Sequence, residues 1–143
     1  MKLVYIAHPL RGAEREKNVA EVTRICRKIS ELFPEVLPIS PIHAFSFLDG
    51  CGAEGERTAL GLCLEAVKHC DEVWFFGDWR HSEGCKSEYF VEAKKSGLDN
   101  AYYFDEMACD ELWTDPNMTI AHDPRLATLA RWLLSEVYEG VEA

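Results

Sequence analysis

Three observations predict an α/β domain in three layers, with a parallel sheet of four or five strands and helices on both faces. Short apolar runs, "KLVYIA" and "EVWFFG", have the unbroken hydrophobicity of strands buried on both sides. The segments between such runs switch to apolar spacings of three and four, so strands alternate with helices long enough to be right-handed crossovers. The third observation is size: 143 residues, 48% hydrophobic and 28% charged, suffice for one core and define a single domain over residues 1–143.

"KLVYIA", residues 2–7, is the first strand and ends in a segment with Pro9 and Gly12. Val19, Val22, Cys26, Ile29 and Phe33 then fall on one face of a helix over 14–33. "EVLPI", 35–39, is a weaker strand, and its Pro38, lacking an N–H, suits a strand end or a sheet edge. Residues 40–55 read as a long loop with Pro41, Gly50, Gly52 and Gly55, of a length that points to function. A helix over 56–69 presents Leu60, Cys63, Leu64 and Val67. "EVWFFG", 72–77, is expected beside a central first strand. A helix over 85–96, a strand near 100–105 and a last helix over 124–139, burying Leu126, Leu129, Leu133 and Val137, complete a Rossmann/flavodoxin-like pattern.

The net charge of −10 argues against a nucleic-acid polymer or an anionic membrane as partner, since both require a surplus of Lys and Arg. Residues 1–30 run against this trend, with seven basic residues and three acids, Glu14, Glu16 and Glu21. A solvated basic helix face accounts for the excess; the sharper alternative is that Arg11 holds an anion. The six cysteines form no C-x-x-C pair and have no His at a zinc-ligand spacing. The N-terminal apolar run is too short for a signal peptide, and no run approaches a membrane span. The expectation is a cytoplasmic protein with reduced cysteines, without membrane, cofactor or metal.

In such a sheet, ligands bind beyond the carboxyl ends of the strands. Two loops leave those ends with suggestive residues, "AHPLRG" and "GDWRHSEGCKSE". Taken with "VYIAHPLRGAERE", the run "SEGCKSE" resembles the nucleoside 2-deoxyribosyltransferase-like superfamily, including its N-glycosidases acting on nucleoside 5′-monophosphates. The resemblance spans roughly residues 2–104. It implies Glu88 as a nucleophile at C1′ of a sugar, with Gly84 four residues before it, Ser82 six before it as in the monophosphate-cleaving branch, and Tyr5, Arg11 and Gly12 from the first strand and turn. His8 and Pro9 stand where relatives have smaller residues, and Cys63 about where they carry an Asp. It also implies a homodimer or larger assembly, for which the last helix, with Trp113 and Trp132 near it, is the expected contact surface.

The residue chemistry is compatible with that role. Cleaving a glycosidic bond passes through an oxocarbenium-like state that a carboxylate stabilises or traps. With its helix starting at 85, Glu88 sits in the first turn, where free N–H groups favour the ionised form; stabilising the helix start is its plainer use. Ser82 suits a phosphate or hydroxyl cradle and equally an N-cap, and Gly84 lets backbone approach a ligand. Tyr5 can orient a carboxylate or be plain core, and His8 belongs with the substrate-binding set. Asp78 and Glu56 are the candidates to protonate the leaving base. Trp79, His81, His43 and Phe45 are candidates to stack on it, although Phe45 and Phe47 equally suit a core beneath the loop. A nucleotide sensor of the same fold is the alternative function. A metal hydrolase using His8, His43, His81 and Asp78 ranks last for want of ligand spacing.

Overall fold

The sheet is organised on β1 (Lys2–Ala7), which pairs in parallel with β2 (Val36–Ile39) on one side and β3 (Glu72–Phe76) on the other. β4 (Ala101–Phe104) adds in parallel to β3, giving the order β2-β1-β3-β4. The computed structural model describes residues 1–10, 15–114 and 123–138. The fold is therefore the expected α/β domain with a four-stranded parallel sheet, and the first strand is interior beside "EVWFFG".

Among the described residues, six α-helices flank the sheet: α1 (Arg15–Leu32), the short α2 (Pro41–Ala44), α3 (Gly52–His69), α4 (Glu83–Ser96), α5 (Glu106–Thr114) and α6 (Pro124–Trp132). The two-residue period of each strand divides the core. Val4, Ile6, Trp74 and Phe76 meet Val22, Ile25 and Ile29 of α1 and Leu129 of α6, whereas Tyr5, Ala7, Val73 and Phe75 meet Val67 of α3 and Cys85 of α4. Phe75 and Phe76 are both fully buried on opposite faces, each stabilising the fold by roughly 1.5–3 kcal/mol.

Several boundaries differ from the sequence reading, each for a local reason. α3 begins at Gly52 rather than 56 and takes in Gly55, where only glycine fits the crowded turn: a Cβ there would stand 2.4 Å from Cys51 Cβ and 3.3 Å from Leu48 O. The loop over 40–55 contains α2 and a 3-10 turn, Ser46–Leu48. α4 begins at Glu83, and Ser82 is its N-cap, accepting from Cys85 N at 3.3 Å.

The last helix runs as α-helix to Trp132 and continues as a π-helical segment, Leu133–Tyr138. Leu129, Leu133 and Val137 have no exposure and complete the core of their own chain. Arg24 and Lys28 lie 5.7 Å from the Trp132 ring centroid, and Arg24 donates to Glu136 O at 2.9 Å. The apolar stripe of the last helix is thus buried inside the molecule as expected; the Trp113 side chain lies outside the described residues. Among the described residues, no helix is long and apolar enough to cross a membrane.

Candidate functional site

From β1 the chain crosses first to β2 and then back to β3, so the crevice between β1 and β3 is the topological switch point. A cavity of about 860 Å3 opens there, walled by the turn after β1, the exit of β3, the start of α4 and the inner side of α3. Its volume is that of a small-molecule site. Gly77, at the exit of β3, has φ +65°, and a Cβ on it would press at 3.3 Å on His8 Nε2 and Pro9 Cδ, so the two exits meet closely only with glycine there.

Glu88 lines the cavity, 6% exposed. It is the sixth residue of α4, past the four free N–H groups of the helix start, so the expectation of a first-turn carboxylate held ionised by the dipole is corrected. Burial instead pushes its carboxyl up to about 7, opposed by hydrogen bonds from Tyr5 and Cys85. Tyr5 projects from β1 through the core and donates its hydroxyl to Glu88 Oε2. Burial, with the Glu88 charge beside it, holds the Tyr5 phenol well above its usual range, so it stays a donor. Cys63 of α3 hydrogen-bonds Tyr5, and burial pushes its thiol up to about 11; Cys85 is raised further by burial. These thiols are therefore held un-ionised.

Other expected residues are also brought to the cavity wall. Ser82 lines it while capping α4. Gly84 lines it too, and a Cβ there would meet only Ser82 Oγ at 4.0 Å, so the protein itself leaves that space open. Asp78 and His81 line it as a pair, Oδ1 to Nδ1 2.6 Å, both exposed; Glu56 and Phe45 lie on the wall as well. Asp71 accepts from Leu3 N at 2.8 Å and ties the start of β3 to β1.

Three expectations are overturned. Trp79 is not a stacking wall: it is 5% exposed, packs on Phe75, Tyr89 and Tyr103 with centroids 4.6, 5.5 and 5.5 Å away, and donates Nε1 to Asp105 at 3.3 Å. Its place after an aromatic strand makes it core. His43 does not line the cavity; its ring is held by Ser40 Oγ at 2.7 Å and Thr23 Oγ1 at 2.8 Å on the α1 side. Phe47 closes no core either, being 69% exposed. Arg11 and Gly12 lie outside the described residues.

The structure adds one group that sequence reading passed over. Glu21 lines the cavity, with Oε2 2.6 Å from His8 Nε2, and Arg15 and Asp49 pair at 2.6 Å on the same wall. The available signal was positional: Glu21 stands four residues before Ile25, a charge beside the apolar stripe of α1. Among the described residues, no three His, Cys, Asp or Glu side chains gather as a metal site requires. Residues 2–103 match the sequence pattern of a family described as a domain of unknown function (DUF7768). No curated protein matches the chain.

Proposed function

The chain belongs to that family of domains of unknown function, whose matched span runs from β1 to β4 and so includes Tyr5, Gly77, Ser82, Gly84 and Glu88, and on this site we propose that the protein is an enzyme cleaving or transferring the N-glycosidic bond of a nucleoside or nucleoside 5′-monophosphate. One observation carries the reading: a buried carboxylate, Glu88, reaches a small-molecule cavity at the switch point with a tyrosine hydroxyl fixing one of its oxygens. The resemblance of "SEGCKSE" to the nucleoside 2-deoxyribosyltransferase-like superfamily supports it. Glu88 Oε1 attacks C1′ while Tyr5 holds Oε2, Gly84 leaves room for the sugar, and Ser82, with Arg11 and Gly12, receives the 5′ end. Water or a second base then releases the glycosyl group.

Incubation with a panel of nucleosides and their 5′-monophosphates, with chromatography for free base, tests the proposal. The expected result is base release, with a glycosyl adduct on the peptide containing Glu88 after rapid quenching. No release from any member of the panel counts against it. A sensor of the same fold has one observation in its favour: with its carboxyl near 7, Glu88 is about half protonated at neutral pH and then holds a ligand by hydrogen bonding rather than attacking it. Turnover separates the two.

A further inference from the structure

A base leaving C1′ needs a proton, and the wall formed by the β1 turn and α1 holds one. His8 has 1% of its side chain exposed, and both ring nitrogens face acceptors: Nδ1 lies 2.7 Å from Pro9 O, Nε2 2.6 Å from Glu21 Oε2. A carbonyl oxygen only accepts, so Nδ1 carries a hydrogen. The contact with Glu21 then needs a second hydrogen, on Nε2 or on the carboxyl, and in either arrangement the pair holds one transferable proton. Glu21, with 16% of its side chain exposed to the cavity, is the member a ligand can touch. The pair is backed closely by β3: a Cβ on Gly77 would stand 3.3 Å from His8 Nε2, and the Tyr138 hydroxyl accepts from Gly77 N at 3.0 Å while donating to Phe104 O.

We propose that Glu21 is the general acid of this site, with His8 as the positioning residue that loads it. The role rests on the glycosidase reading above. As Glu88 bonds to C1′, the C1′–N bond breaks, its electron pair passes to the base nitrogen, and the proton of the His8–Glu21 pair joins it there. Water then attacks C1′, displaces the Glu88 carboxylate and returns its proton to the pair. Asp78 and its partner His81, with side chains 74% and 81% exposed, lack the enclosure that keeps this proton in place.

The experiment compares a guanine nucleoside with its 7-methyl cation, whose base leaves neutral without being protonated. Glu21→Gln should lower turnover of the plain nucleoside about a hundredfold or more and that of the cation only a few-fold. Glu88→Gln should abolish both. Glu21→Asp, which keeps the acid but withdraws it, should show the same selectivity with a smaller loss, and circular dichroism checks that each variant folds. Equal losses on the two substrates, or none, overturn the acid role. An unmutated protein that cleaves only the cation overturns that role alone, whereas one that cleaves neither overturns the glycosidase reading on which it rests.

Discussion

Glu88 and Glu92 stand one turn apart on the same face of α4, both buried, yet the fold treats them oppositely. Glu88 opens onto the cavity and receives the Tyr5 hydroxyl. Glu92 has no exposure: Ser96 Oγ donates to Oε2, and Lys95 Nζ stands 3.9 Å from Oε1, which has no hydrogen-bond partner among the described residues. Lys95 also donates to Val67 O and Cys70 O, so it closes the end of α3 while balancing Glu92. Burial alone therefore does not make a carboxylate a reacting group. Access to the cavity is what separates the two, and the second carboxylate serves to fasten α3 to α4, the two helices that wall that space.

The largest expected contrast is in turnover. Glu88→Gln should lower cleavage roughly a thousandfold or more while the protein still folds and binds, because covalent attack needs an ionised nucleophile. Glu92→Gln should leave turnover within about threefold, as befits a group with no route to substrate. Single-turnover kinetics on the first substrate identified compare the two, and a Glu88→Gln variant with ordinary turnover would reduce Glu88 to the same status as Glu92.

The next contrast is in stability against pH. Burial raises the folded Glu88 carboxyl from the ordinary 4.5 to about 7, so the native state favours its protonated form. That contribution is fully present below 4.5 and is lost as pH rises through 7, an effect of about 3 kcal/mol. Glu88→Gln cannot ionise, so its stability relative to the unmutated chain should rise between pH 4.5 and 7 and then level off. Urea unfolding at a series of pH values measures this, and a constant difference across the range would show that the carboxyl is not forced towards neutrality.

Lys95→Met sharpens the structural half of the comparison. It uncaps α3 and leaves Glu92 unbalanced, and because the Lys95 side chain is 29% exposed the cost should be about 2–3 kcal/mol rather than that of a fully buried pair. Thermal melts should show the loss, with the pH dependence of Glu88 unchanged.

Tyr5→Phe should give the smallest effect. It removes a hydrogen bond that holds the Glu88 carboxyl down, so the acid limb of the pH–rate profile should move to higher pH by about one unit, with roughly fivefold less activity at neutral pH. An unmoved limb would mean that Tyr5 only fills core.

Alternating apolar runs and helical stripes were enough to read the sheet, its parallel strands and the neighbouring exits of β1 and β3, because strand and helix periods are local and crossover handedness leaves few topologies. Glu88, Ser82 and Gly84 were legible for the same reason, lying in one short run at a strand-to-helix boundary. Whether a side chain faces the cavity or the core was not. Trp79 and His81 share a single turn, yet one is sealed among Phe75, Tyr89 and Tyr103 while the other faces the cavity. Glu21 and His8 are thirteen residues apart, and only the packing of α1 against the β1 turn makes them a pair. The sequence by itself determined the layers and the edge at which chemistry is possible. Tertiary structure decided which carboxylate meets that edge and how strongly burial holds it protonated, since desolvation depends on neighbours from every element at once.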